Sequence, residues 1–174
     1  METREELKQQ RWEIVWAVQR SQRYHSRRSA FFDRWHKITL LAGILGGSAA
    51  IASIGKDAPA WLILIGGALV ATLSAMDLVV GTGEMARKHN DLRRRFCNLE
   101  LMMQRSPLAD ELLLADWRSE RLSIESDEPP AYVALDILVE NELARSFSHL
   151  KDQPPHELSF IKRYTAHFIR WEDA

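Results

Sequence analysis

Few residues in this chain stand at spacings that could carry out chemistry, and the first to weigh lie in "VVGTGEMA". Gly81, Gly83 and Ala86 match G-x-G-x-x-A, and Glu100 stands nineteen residues beyond Gly81. Such glycines let a dinucleotide pyrophosphate approach a helix N-terminus while the acid holds a ribose hydroxyl. That chemistry needs a short buried strand before Gly81 and further βα units after it. Here the preceding apolar stretch has membrane length and the following chain reads as helix, so Gly81 and Gly83 are read as a softened helix, a candidate hinge or gate. "GGSAA" around Ser48 lacks the last glycine of a nucleophile elbow. The six histidines never approach H-E-x-x-H, and one cysteine, Cys97, makes no zinc cluster. His89 falls on an apolar seam, where a packed ring is expected. Asp136, Glu140 and Glu142 read as a solvated acidic face of one helix rather than an acid–base pair. No catalytic residue, cofactor or metal is expected, and the chain is not read as an enzyme.

Charge is unevenly spread behind a net value of −1. Residues 1–37 hold nine Lys/Arg against five Asp/Glu, residues 84–105 six against three, and the tail from Ser106 seven against fourteen. The forty-six residues between the first two blocks contain only Lys56, Asp57 and Asp77 as charges. The single cysteine excludes an intramolecular disulfide and suits a reducing compartment. No secretory-signal pattern precedes the first apolar run, which begins at Ile38 behind a long charged segment.

Two runs fill that interval. Ile38–Gly55 is eighteen residues without a charge; Ala58–Met76 is nineteen, and Leu78–Gly83 extends it. About 20 apolar residues at 1.5 Å rise cross a hydrocarbon core of about 30 Å. Neither run shows the polar face of a soluble helix, and burying two such helices in a soluble core would need more protein mass than the rest of the chain offers. The expected fold is therefore all-α: a transmembrane hairpin over 38–83, with spans near 38–55 and 58–80. A basic juxtamembrane helix over 1–37 precedes it; a cytoplasmic helical pair over 84–126 and a C-terminal helical region over 127–174 follow.

Arg27, Arg28, Arg34 and Lys37 before the first span, and Arg87, Lys88, Arg93, Arg94 and Arg95 after the second, predict cytoplasmic termini. They are the expected contacts for lipid headgroups, and Arg93–Arg95 are assigned to lipid phosphate rather than nucleic acid. Trp35 and Trp61 fall near opposite interfaces. Ala42, Gly46 and Ala50, with Gly43 and Gly47 beside them, form a small-residue ridge on the first span; Gly67, Ala71 and Ala75 form one on the second. Such ridges allow close helix approach in lipid, either within one hairpin or between neighbouring chains. Asp77 lies about one turn inside the cytoplasmic surface. It either pairs with Arg34, His36 or Lys37, or forms an acidic ring in an oligomeric pore.

Outside the spans, residues 4–37 contain neither Gly nor Pro and read as helix, with an apolar patch at Trp12, Ile14, Val15, Trp16 and Val18. Met85, His89, Leu92, Phe96, Leu99 and Met103 step by 4, 3, 4, 3, 4 as a heptad seam. Ser106-Pro107 predicts the start of a helix that uses Leu108, Leu112, Ala115 and Leu122. A break at Pro129-Pro130 precedes a helix using Val133, Ile137, Ala144 and Phe147. The final segment runs Ile161, Tyr164, Phe168 and Trp171, in steps of 3, 4 and 3.

The succession "YHSRRSAFFDRWHKIT", a two-span hairpin, then "ARKHNDLRRRFCNLE" resembles the SLATT families, two-transmembrane effector domains of bacterial nucleotide-signalling and conflict systems. "IESDEPPAYVALDILVENEL" is similar to part of a group of small bacterial and phage-encoded membrane proteins with the same hairpin. The resemblance covers roughly residues 10–150. It implies a multi-pass inner-membrane protein that assembles as a homo-oligomer in membrane lipids and disrupts them without catalysis, most simply as a pore. It further implies a separate cytoplasmic sensor or signalling protein as trigger, with the acidic tail as its docking surface. Competing readings are a non-conducting anchor or scaffold, and a holin-like protein, which would not need the extended helical tail.

Overall fold

The computed structural model describes residues 3–53, 59–106, 110–148, 150 and 154–171, with the side chains of 49–53 left aside. The chain is all-helical: α1 (Arg4–Ser53), α2 (Ala60–Val80), α3 (Thr82–Arg105), α4 (Glu111–Glu125), α5 (Val133–Ser146) and α6 (Phe160–Thr165). No strand occurs among the described residues. They fall into two compact units, one formed by Met1–Arg28 with His89–Ala174, the other by Ser29–Lys88. α1 and α3 each supply residues to both.

In the larger unit the heptad seam of α3 is the centre of the core. Leu92, Phe96, Leu99 and Met103 are buried against Ile14 and Val18 of α1 and Leu114, Trp117 and Ile124 of α4. Each large apolar side chain so buried contributes about 1.5–3 kcal/mol relative to exposure. The steps of four and three place all four α3 side chains on one stripe, which is why one helix serves two neighbours.

α4 departs from expectation in both start and face. Its N-cap is Asp110, in extended conformation, whose carboxylate accepts the Leu113 N–H at 2.9 Å. Asp110 thus caps the helix, four residues beyond the expected start at Ser106, and Pro107 and Leu108 lie outside the described residues. The buried stripe is Leu114, Trp117 and Ile124, while Leu112 and Leu122 remain 78% and 58% exposed. Two apolar stripes competed for the core, and the one holding the indole removes more apolar area from water.

α5 likewise turns Leu135, Val139 and Leu143 inward, at i, i+4 and i+8, and leaves Val133 exposed. Leu135 and Val139 join a second cluster with Tyr24, Ala134 and Ala166, against which Tyr132, Leu138, Leu158 and Trp171 pack. Phe147 packs edge-on against Trp12 with centroids 4.8 Å apart. The last helix is a single short piece, and Ile161, Tyr164 and Phe168 point outward, 64%, 68% and 58% exposed, instead of entering a core.

The smaller unit holds the apolar part of α1, all of α2 and the start of α3. Among the described residues one helical stretch, beginning at Ala60, is long and apolar enough to cross a bilayer, and none of its most apolar eighteen residues is buried. Its α2 residues Leu64, Leu78 and Val79 are 74%, 83% and 86% exposed. On α1, Ile38, Leu41, Ile44 and Leu45 are exposed as well. The end of the first predicted run, with Lys56 and Asp57, lies outside the described residues.

Candidate functional site

The hairpin unit contains one close helix approach that only glycine permits. A Cβ on Gly46 would stand 2.6 Å from Val70 Cγ2, closer than real Cβ atoms come. The remaining glycines of the predicted ridges behave differently: Cβ atoms at Gly43, Gly47 and Gly67 would meet nothing within 4 Å. Gly46 is therefore the ridge glycine that seats α1 on α2, against Val70 rather than Gly67, Ala71 or Ala75. The Ala42 side chain is half-buried, Ala71 and Ala75 are exposed, and the Ala50 side chain lies outside the described residues.

At the other end of α2 the chain breaks at Gly81, in the left-handed region at φ 64°, ψ 45°, its N–H donating to the Asp77 carbonyl at 2.9 Å. Such a conformation is open to glycine at no steric cost. α3 begins at the next residue, so Gly81 is the joint and Gly83 lies inside a helix, its Cα side 3.5 Å from the His36 ring when a Cβ is added. Asp77 is held at this joint. One carboxylate oxygen is 2.9 Å from His36 Nδ1, and the other accepts the Thr82 hydroxyl, whose side chain is buried. Of the three partners predicted for Asp77, His36 is the one it meets; Lys37 bonds instead to Asp33 at 2.7 Å. A residue of α1 and one of α3 thus converge on a single carboxylate of α2.

The basic residues separate into two groups. Arg34, Lys37, Arg87, Lys88 and Arg94 are exposed, as a headgroup contact requires. Arg27 is exposed too but is held by an acid of α5, and Arg28 is buried. Arg28 is 4% exposed, donates to the His167 carbonyl at 2.8 Å and lies 4.2 Å from the centre of the Tyr132 ring. Arg27 bonds to Glu142, which also takes Arg23 at 3.2 Å, and Arg20 stands 3.6 Å from Asp136. α1 presents these arginines along one face, and the acids of α5 meet them there. This corrects two expectations together: that stretch of α1 meets protein carboxylates, and Asp136 and Glu142 are not a purely solvated face. Arg95 similarly bonds Asp127 at 2.5 Å, and Arg93 bonds Asn90.

Spacing gave no signal for the most enclosed polar cluster. His25 and His89, each 1% exposed, face each other with Nδ1 atoms 2.9 Å apart. His25 Nε2 lies 2.9 Å from Glu128 Oε1, and Phe96 stacks on the His25 ring. The carboxylate can only accept, so His25 carries a proton on Nε2; in the neutral ring its Nδ1 is the acceptor for His89 Nδ1–H. The cluster ties α1, α3 and the α4–α5 connection by directed bonds. These residues are 25, 89 and 128 in the chain, and only the fold brings them together.

Glu100, the candidate ribose acid, accepts from Gln19 and Gln22 of α1, each at 2.7 Å, and the element before Gly81 is a helix of 21 residues. Both observations remove the dinucleotide context. Among the described residues no group of three His, Cys, Asp or Glu could hold a metal ion. No protein-family model, curated protein or solved structure matches the chain.

Proposed function

We propose that the chain is a two-span protein of the bacterial inner membrane that acts by assembling in the bilayer, as a pore-forming or membrane-disrupting effector of the SLATT kind. The observation that carries the reading is the bare apolar hairpin unit, in which α2 buries none of its residues. Exposed apolar area on this scale is costly in water and unremarkable in lipid. The first span is the apolar end of α1, and the exposed cations at both cytoplasmic flanks set both termini inside. Gly46 closes the hairpin, so the open faces at Gly43, Gly47 and Gly67 are left to receive a neighbouring copy. No step requires catalysis; a separate cytoplasmic protein supplies the trigger.

A membrane-potential dye in expressing cells tests this. Wild type should depolarise them, and Gly67→Leu should abolish depolarisation while the protein stays in the membrane fraction. A second reading, a non-conducting anchor that recruits cytoplasmic partners, is favoured by one observation: His36 and Thr82 occupy the Asp77 carboxylate within a single chain, which leaves no acidic ring to select cations. An unchanged potential with wild type, and full partner recruitment by Gly67→Leu, would establish the anchor instead.

A further inference from the structure

The last segment of the larger unit is two-faced. On its inner side Leu158, Ala166 and Trp171 pack on the cluster around Tyr24, Leu135 and Val139. Arg28 donates to the His167 carbonyl, and the Trp171 Nε1–H donates to Thr165 Oγ1 at 3.2 Å. On its outer side Phe160, Ile161, Tyr164 and Phe168 are between 58% and 73% exposed. Phe160 and Tyr164 lie against each other with centroids 4.3 Å apart. The aromatic face is thus pinned in place from behind and directed outward.

Its charge separates it from its surroundings. Residues 159–171 contain Lys162, Arg163 and Arg170 and no acid, within a tail from Ser106 whose Asp and Glu outnumber Lys and Arg fourteen to seven. At about 100° per residue, Phe160, Ile161 and Tyr164 share one arc of α6, with Lys162 and Arg163 on its two flanks. Aromatic and branched side chains bordered by cations fit the headgroup level of an anionic bilayer, where rings enter the acyl boundary and cations meet phosphate. We propose that this face, Phe160 to Arg170, is an interfacial anchor that lays the C-terminal segment on an anionic lipid surface. The proposal rests on the reading of the hairpin as membrane-spanning, which brings a bilayer to the same molecule.

The test uses the full chain reconstituted in vesicles of phosphatidylethanolamine and phosphatidylglycerol, with Cys97→Ser and one nitroxide at a time. Labels are placed at Tyr164→Cys, at Leu64→Cys in the hairpin and at Glu120→Cys on the exposed face of α4. Collision with oxygen, which concentrates in lipid, is compared with collision with a water-soluble nickel chelate. A label at 164 should favour oxygen several-fold over the label at 120, as the label at 64 does. In vesicles of phosphatidylcholine alone, or with Lys162→Glu and Arg163→Glu, position 164 should revert to the pattern of position 120. Water-like collisions at 164 with lipid-like ones at 64 would overturn the anchor and leave the hairpin standing. Low collision with both reagents at 164 would show a protein surface, such as a second copy, covering the face, and would also overturn it. Water-like collisions at both positions would overturn the hairpin reading and the anchor together.

Discussion

Val70 Cγ2 occupies the space into which any side chain at Gly46 would grow, 2.6 Å from the Cβ position. Gly46→Leu should therefore splay α1 from α2, at a cost of about 1–3 kcal/mol as for other overpacked sites. Gly67→Leu meets no neighbour in its own chain and should leave monomer stability within about 0.5 kcal/mol. Thermal unfolding in detergent measures the first effect, and chemical cross-linking in membranes measures loss of assembly by the second. Equal stability of the two variants would show that Gly46 does not seat the hairpin.

The same pair shows how much of the hairpin was legible beforehand. Small residues every four positions announce close approach, because that is a property of residue size and helical period. They do not announce a partner. Gly46, Gly43 and Gly47 are alike in sequence, and only the rotation of α1 against α2 separates the glycine that touches Val70 from those facing away. The seam of α3 was legible from His89 to Met103, because the steps of four and three mark one stripe, and Leu101 and Met102 beside it stay exposed. α4 and α5 each carry more apolar residues than one face can bury, so the inward face followed from packing. The pairing of α1 arginines with Asp136 and Glu142, and the meeting of His25 with His89, join residues more than sixty positions apart. No local pattern encodes them.

The buried histidine pair carries its own prediction. His89→Leu removes the donor to His25 Nδ1 and leaves a buried acceptor unmet, which should destabilise the larger unit by about 1–3 kcal/mol. Nitrogen-15 spectra of the full chain in micelles should show His25 protonated at Nε2 and bare at Nδ1. The opposite tautomer at His25 would contradict the assigned chain of donors.

Asp136 gives a pH dependence. Burial raises its carboxyl above the ordinary value of 3.8; Arg20 opposes this, while Glu140 and Glu128 reinforce it. The folded chain thus keeps that proton to higher pH than the unfolded chain does. Its contribution to stability is fullest below the ordinary value and is lost as pH rises through the folded one. Asp136→Asn should unfold at a higher temperature than wild type at pH 7, with the gap closing as pH falls toward 3.8. A lower unfolding temperature for the variant at pH 7 would show the Arg20 pairing outweighing burial.

At the joint between α2 and α3, Gly81→Ala would force a Cβ into the left-handed region found at φ 64°. The strain is about 1–2 kcal/mol, and the expected relief is a shift of the α2–α3 break that loosens the Asp77–Thr82 bond. Circular dichroism melts of Gly81→Ala and Gly83→Ala check this: Gly83 lies within α3 at ordinary φ and should tolerate alanine, so equal melts would count against the joint.

Membrane topology is measured most directly by cysteine labelling in intact cells with a maleimide that does not cross membranes. Ala60→Cys in a Cys97→Ser background should react from outside, beside the N-terminus of α2, while native Cys97 should react only after the cells are broken. Recovery of the untagged protein in the detergent-free soluble fraction, or outside labelling of Cys97 with none at position 60, would contradict a hairpin that crosses the bilayer with both ends in the cytoplasm.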